Sequence, residues 1–406
     1  MIGIVGGGFG GVSLGIFLKL YGIEAVVVEA GENASPKGGT VTMFPNAMRV
    51  LRELGVASEV ERNGIAITKQ KFKSRGGGQI VDRKLSGSAL YGESATVICR
   101  AVLLKILLSR FSQIGGDLRY DFRVGRIEET DSQVLLSSER RGVEAFSAAI
   151  AADGVGSKLR NYVVGERFDG VKYSGGIYFG GYSDWAGDLD CVPGEQVIYV
   201  GSDSYFSILP NKEKRLGDFP LFWFTQYRRK ERLKKGELDQ FANEQLFEEV
   251  SVAHRSWNEV VRGVLGNGSS FCKANVFHME PPRSWHNGKI CLLGDSAHAM
   301  NAISGQGAAL AMEDAFMLAL LMRDHFVDYE SVFSVFESLR RRRVEPIAKK
   351  AARSNDLLLK SATGFKEGIR NLGYGVITRC IPESIANRDF FYSVEQELEN
   401  HFENKQ

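Results

Sequence analysis

The sequence predicts an α/β protein, with a Rossmann-like domain, an inserted antiparallel β-sheet and C-terminal helices. Three observations carry this. A short apolar run, Ile2–Val5, is followed by the glycine-rich segment Gly6-Gly7-Gly8-Phe9-Gly10-Gly11 and by an amphipathic stretch, Val12–Tyr21. A second strand-glycine-helix arrangement, carrying an aspartate, lies far downstream in Gly294–Gly307. Between them, Tyr173–Tyr227 holds 13 aromatic residues in 55, against 10% for the whole chain, in alternating, strand-like order.

The opening segment fits G-x-G-x-x-G, and each glycine has a task. Gly6 permits the tight turn, Gly8 lets a pyrophosphate approach the backbone, and Gly11 lets the helix pack closely on the strand. The start of the helix offers amide donors and a partial positive charge. The β-branched run Ala25–Val28 ends at Glu29 and Ala30, with Glu29 placed to accept hydrogen bonds from a ribose. Together with the later aspartate, this implies one elongated dinucleotide held at both ends.

Further elements follow in order. Pro45–Leu54 and Arg100–Phe111 read as helices, the second with Val102, Leu103, Ile106, Leu107 and Phe111 near helical spacing. Leu118–Phe122, Val124–Glu128 and Gln133–Ser137 read as a meander, and Ala148–Ala152 and Lys289–Leu293 as buried strands. The aromatic segment suggests a sheet walling a substrate cavity, and Phe179, Phe206, Phe222 and Phe224 are its cavity residues on alternation; an ordinary sheet core is the alternative. Gly307–Phe326 and Tyr329–Ala352 read as long helices. The run Arg340–Arg343 reads as a solvated helix face with acidic neighbours Glu337 and Glu345, not as a polyanion site. Residues after Asn355 read as helices and turns with little chemistry.

Charge is nearly balanced, with 51 basic and 49 acidic residues, so no nucleic-acid partner is implied. Cys99, Cys191, Cys272, Cys291 and Cys380 are odd in number and free of C-x-x-C spacing, which argues against a disulfide framework and against a metal. With no leader before the first strand and no apolar run of membrane length, the expectation is a soluble cytoplasmic protein, monomer or homodimer.

Three ordered segments make the reading more specific. They are Cys99-Arg100-Ala101-Val102-Leu103, then Asp153-Gly154-Val155-Gly156-Ser157-Lys158-Leu159-Arg160, then Gly294-Asp295-Ser296-Ala297-His298 followed by Gly305-Gln306-Gly307 and Glu313-Asp314-Ala315. In this order the chain resembles the single-component FAD-dependent aromatic monooxygenases of the para-hydroxybenzoate hydroxylase fold, most of all the salicylate, quinolone and hydroxynicotinate hydroxylase branch. The similarity covers about residues 1–350.

The resemblance implies a Rossmann-like FAD-binding domain formed by residues 1–75, 96–165 and 279–352. It implies a substrate domain formed by 76–95 and 166–278, and a helical tail over 353–406. FAD is the implied cofactor, with Asp295 accepting from the flavin ribityl hydroxyls, though a helix N-cap is the alternative. Gly305, Gln306 and Gly307 open a helix toward the flavin pyrimidine edge, where reduced flavin carries negative charge. Arg100 implies a contact with the diphosphate–ribityl portion, or else a solvated helix residue. Asp153 and Gly154 imply a contact near the pyrophosphate, or else Asp153 forms a structural ion pair with Arg160. Gly38, Gly39 and Thr40 match the loop lying against the isoalloxazine, Pro45 and Asn46 a structural helix start, and His298 a structural position.

The implied reaction uses NADH or NADPH as a transient reductant, since only one nucleotide fingerprint exists. O₂ adds to give a flavin hydroperoxide, whose distal oxygen passes to an aromatic or polycyclic substrate. No catalytic base is named. Another FAD reductase or dehydrogenase, or a redox-silent flavoprotein, is the alternative; a halogenase is disfavoured because the W-x-W-x-I-P signature is missing and Trp223-Phe224 does not replace it. Two positions depart from the family pattern. Ala302 stands where relatives carry a proline, implying a more mobile turn, and Ser296 stands in place of alanine.

Overall fold

The computed structural model describes residues 1–33, 39–85, 94–189, 192–211, 220–234, 237, 243–359, 365–381, 385 and 387–403. Gly38 and Cys191 lie outside the described residues. Four short apolar strands form the heart of a six-stranded sheet: Ile2–Val5 pairs in parallel with Ala25–Val28 on one side and Ala148–Ala151 on the other, and Ile290–Leu292 continues beyond the latter. They read as unbroken apolar runs because helices cover both faces, as parallel sheets require. Phe9–Leu20 packs against Gly307–Asp324, where Phe17 and Phe316 stack at 4.6 Å. Burying a side chain such as Phe17 contributes roughly 1.5–3 kcal/mol.

The meander is shifted from its expected position. Asp117–Arg119 joins the parallel sheet beside Ala25–Val28, and the three-stranded meander is Val124–Glu129, Val134–Ser138 and Gly142–Phe146. The strand stops at Arg119 because Asp121 adopts a left-handed φ of 60° and its amide turns back to Gly31 O at 3.0 Å.

The second large sheet has seven strands in the order Gly268–Met279, Val171–Ser183, Leu221–Arg228, Ser204–Pro210, Glu195–Val200, Lys69–Ser74 and Gln79–Lys84. All neighbours are antiparallel except Glu195–Val200 and Lys69–Ser74. The chain thus enters this sheet at Lys69 rather than at residue 76. One face packs on the helices Asn243–Ala253 and Glu259–Gly266 through Leu246, Val250, Val261 and Val264. The other face is left for the site.

The arginine run is not a solvated face. It sits on the helix Tyr329–Leu359, where consecutive residues turn by about 100° and so point all round the helix. Arg340 is completely buried, Arg341 bonds Glu337 and Glu345 at 2.7 and 3.2 Å, and only Arg342, at 61% side-chain exposure, is chiefly in water. Among the described residues, no helix is long and apolar enough to cross a membrane.

Candidate active site

The glycine turn is built by close approach. Gly6 has a left-handed φ of 117°, and a Cβ there would meet Ala152 O at 2.3 Å. A Cβ on Gly11 would meet Gly6 O at 2.0 Å, so strand and helix touch backbone to backbone. Gly10 is confined by the Leu293 side chain, 2.7 Å from where its Cβ would sit. Gly8 differs: it is exposed and nothing lies within 4 Å of its Cβ position. Protein packing does not demand glycine there, whereas a ligand lying on the first helical amides would. Glu29 accepts from Gly7 N at 2.7 Å and Gly31 N at 2.8 Å, which fastens the second strand to the turn. Each of its carboxylate oxygens retains an acceptor site for a ribose hydroxyl.

The second end is shaped by Gly294, with a left-handed φ of 66°, and by Asp295, whose exposure stands out between buried Leu293 and Ser296. The Ser296 hydroxyl donates to Ala151 O and accepts from Leu293 N at 3.0 Å, tying the turn to the central sheet. A Cβ on Gly307, which starts the helix Gly307–Asp324, would lie 3.8 Å from Asp295 Oδ1. The aspartate and the free amides of the helix start therefore face one place. Arg160 donates to the carbonyls of Gly154, Val155, Asp295 and Ser296, with its Nε 2.6 Å from Ser296 O. It braces two turns against each other and forms no ion pair with Asp153 among the described residues. Asp153 accepts from Lys158 N at 3.0 Å while its Oδ1 is buried without a partner, and burial raises its carboxyl above the usual range.

These parts enclose a groove of about 500 Å³ lined by Gly8, Phe9, Gly10, Gly39, Thr40, Arg100, Gly154, Asp295, Gly305 and Gly307. Arg100 lies with its guanidinium 5.0 Å from the Phe9 ring centre, and its amide donates to Gly39 O at 3.0 Å. Gly6, Gly11, Glu29, Ala30, Asp153 and Gln306 do not line the groove; they shape or adjoin it. The Gln306 Oε1 accepts from Asn46 Nδ2 at 3.0 Å, and the same Asn46 nitrogen reaches Glu313 at 2.7 Å.

A second cavity of about 340 Å³ adjoins the groove and shares Thr42, Tyr205, Phe224, Ala302 and Gly305 with it. The junction is the turn Ala302–Ser304, which Asn301 closes by accepting from Ile303 N at 3.0 Å, in place of a proline ring. The cavity floor is the free face of the seven-stranded sheet, presenting Gln70, Phe72, Gln196, Ile198, Tyr205, Ser207 and Phe224.

Of the four phenylalanines expected at the cavity, Phe224 lines it. Phe222 packs under Gly39, where a Cβ would be 2.7 Å from its ring. Phe179 and Phe206 face the opposite side and lie fully buried around Trp223, with Phe206 stacked on it at 5.2 Å. The pairing explains this: Phe179 and Phe206 both sit opposite Thr225, one residue out of phase with Phe224. The residues missed are Tyr178 and Tyr205, whose phenols burial pushes up, and a C-terminal group of Lys350, Arg370, Tyr374, Asp389 and Phe390. The tail is therefore not poor in chemistry.

The groove passes a test for an elongated dinucleotide: an open Cβ position over helix amides at one end, an exposed carboxylate beside a second helix start at the other. Comparison with known proteins agrees. A family described as FAD binding domain matches residues 1–326. The 3-amino-4-hydroxybenzoate 2-monooxygenase PtnB3 of Streptomyces platensis is 27% identical over 86% of this chain and 86% of its own length. An FAD-dependent urate hydroxylase of Mycolicibacterium vanbaalenii is 25% identical over 87% of each chain. The structure of Klebsiella pneumoniae HpxO complexed with FAD and uric acid shares the fold, with a TM-score of 0.80, 22% identity and coverage of 98% of this chain and 97% of that one. With four-fifths of its length matched and a groove built to this shape, the chain belongs to the FAD binding domain family, and FAD is its cofactor.

Proposed function

We propose that this protein is an FAD-dependent monooxygenase that uses NADH or NADPH and O₂ to hydroxylate or otherwise oxygenate an aromatic or polycyclic small molecule. The observation that carries this is the cavity of about 340 Å³, whose floor sets Phe72, Ile198, Tyr205 and Phe224 among the polar Gln70, Gln196 and Ser207, opening onto the cofactor groove at Ala302–Gly305. When bound, FAD supplies the electron transfer from the nicotinamide and the activation of oxygen.

The chain's own residues bind and orient. With FAD bound, Gly8 would leave room for the pyrophosphate, Asp295 would accept from the ribityl hydroxyls, and the amides at Gly307 would face negative charge on the pyrimidine edge. Phe224 and Tyr205 line the junction, their rings edge to face, and exclude water from it. Burial pushes the Tyr205 phenol up, so its hydroxyl stays protonated and can be offered to a substrate. With one glycine fingerprint only, the nicotinamide coenzyme visits the groove transiently. The names of the relatives, hydroxylases of an aminohydroxybenzoate and of urate, support the reading.

The test is coenzyme consumption by purified holoprotein against a panel of phenols, quinolones and polycyclic aromatics under ¹⁸O₂. One labelled oxygen in the product is expected. Substrate-stimulated consumption that yields only unlabelled product would leave an oxidase or dehydrogenase.

A further inference from the structure

We propose that Arg370, on the helix Phe365–Cys380, determines specificity in the cavity by selecting an aromatic ligand that carries an anionic substituent, a carboxylate or an equally acidic group. Calling that ligand the substrate rests on the monooxygenase reading; the binding preference does not.

The charge balance of the cavity is uneven. Its described lining residues include three cationic side chains, Arg83, Lys350 and Arg370, and one carboxylate, Asp389. Lys350 takes that carboxylate at 2.7 Å and is itself 62% exposed. Arg83 donates to Asn387 Oδ1 at 2.9 Å and lies over the Phe390 ring at 5.1 Å.

Among the described residues, Arg370 has polar neighbours but forms no ion pair. Its Nε and Nη2 share Asn371 Oδ1 at 3.2 and 3.0 Å, and Nη2 also donates to Gly201 O at 2.7 Å. Its Nη1 is buried without any partner. The acid on the preceding turn, Glu367, is committed elsewhere, to Arg75 at 3.3 Å and to the Ser202 hydroxyl at 3.0 Å. Burial lowers the Arg370 guanidinium below its ordinary range; Glu367 opposes that shift and Arg75 adds to it. A half-buried guanidinium in this state is costly, and a ligand anion relieves the cost. A planar guanidinium is also suited to a carboxylate in both shape and charge.

The surroundings fix what else the ligand carries. Phe72, Ile80, Ile198 and Tyr374 supply apolar surface for a ring, with Phe72 and Tyr374 5.5 Å apart between centres. Val200 pairs directly with Tyr205, and Gly201 follows Val200, so the Arg370 anchor and Tyr205 sit at the same end of the sheet. An acid held by Arg370 is thereby held near the junction with the cofactor groove. The residue comes from the segment beyond the family match, which ends at 326.

The experiment titrates FAD-loaded protein with matched pairs, 4-hydroxyquinoline-2-carboxylate against its carboxamide and 3-hydroxybenzoate against 3-hydroxybenzamide, followed by the flavin absorbance change. Wild type is expected to bind at least one acid about tenfold or more tighter than its amide, the scale of one charged hydrogen bond. Arg370→Gln should bring the pair to within about twofold, Arg370→Lys should keep part of the preference, and Lys349→Gln, at an exposed position outside the cavity lining, should keep all of it. Equal affinities in wild type, no binding of either acid, or an undiminished preference in Arg370→Gln overturns the proposal. Should Arg370→Gln fail to retain FAD, the wild-type pairs and Arg370→Lys still decide. Acid preference without oxygen transfer would count against the monooxygenase reading alone; oxygen transfer without acid preference would count against this one alone.

Discussion

Arg340 donates through Nε to Asp314 at 2.6 Å, and the other oxygen of that carboxylate accepts from His298 Nε2 at 2.6 Å and from the Gly294 amide at 2.8 Å. Arg340, Asp314 and His298 are all completely buried. Arg340 also bonds Glu313 at 2.9 Å, which Arg343 shares at 3.0 Å. The turn that presents Asp295 is thus held from behind by an arginine more than forty residues later in the chain.

Removing one member of such a set leaves charges buried and unpaired. Arg340→Ala is expected to lower stability by about 3–5 kcal/mol, measured by urea unfolding, with weaker FAD binding because the Gly294 turn loses its brace. A loss below about 1 kcal/mol would mean that the set contributes little.

The same carboxylate gives a pH dependence. Burial alone would raise the Asp314 carboxyl, but His298 and Arg340 outweigh it and hold it at about 2. Glu337 behaves alike: burial raises it, and His286, the Trp285 amide and Arg341 bring it down to about 2. In the unfolded chain these groups titrate near 4. Their stabilisation is therefore complete above about pH 4 and is lost as pH falls from there toward about 2. Unfolding free energy measured across that window should drop more in wild type than in Asp314→Asn; equal slopes would contradict the assignment.

Gly8 and Gly11, two glycines of one motif, should behave differently. Gly11→Ala places a methyl 2.0 Å from Gly6 O and should destabilise the fold, visible in the melting temperature of the FAD-free protein. A Cβ at Gly8 meets no protein atom within 4 Å, so in Gly8→Val the FAD-free protein should melt close to wild type while FAD binding is lost. Similar melting losses in both variants would show that Gly8 serves packing.

The two faces of the seven-stranded sheet can be separated in the same way. Phe179→Ala empties a fully buried site and should cost about 3–5 kcal/mol in unfolding free energy. Phe224→Ala, at the junction, should change ligand affinity far more than stability. Reversed effects would place the cavity on the other face.

Much of the nucleotide domain was legible because its signals are local. Ile2–Val5 and Ala25–Val28 are short apolar runs bounded by glycine or acidic residues, and Gly6, Gly11 and Asp295 lie at strand-to-helix junctions whose geometry the sequence itself demands. The aromatic sheet was not legible to the same depth. Both of its faces are buried, so Tyr178 and Phe179 look equally apolar, and only strand pairing decides which meets the cavity. Arg340 was misread for a related reason: its burial depends on Asp314 and Glu313 on another helix, which nothing in the run Arg340–Arg343 reveals. Arg370 and Tyr374 were missed because their helix mixes polar and apolar residues without a motif.

The most direct measurement is the flavin content of purified protein equilibrated with excess FAD and then freed of unbound cofactor. One FAD per chain is expected in wild type, with Asp295→Ala and Gly8→Val both losing it; the aspartate variant should bind roughly 10–100-fold more weakly, the scale of a charged hydrogen bond. Stoichiometric FAD retained in both variants, or a colourless wild type, would contradict a single cofactor held between these two turns.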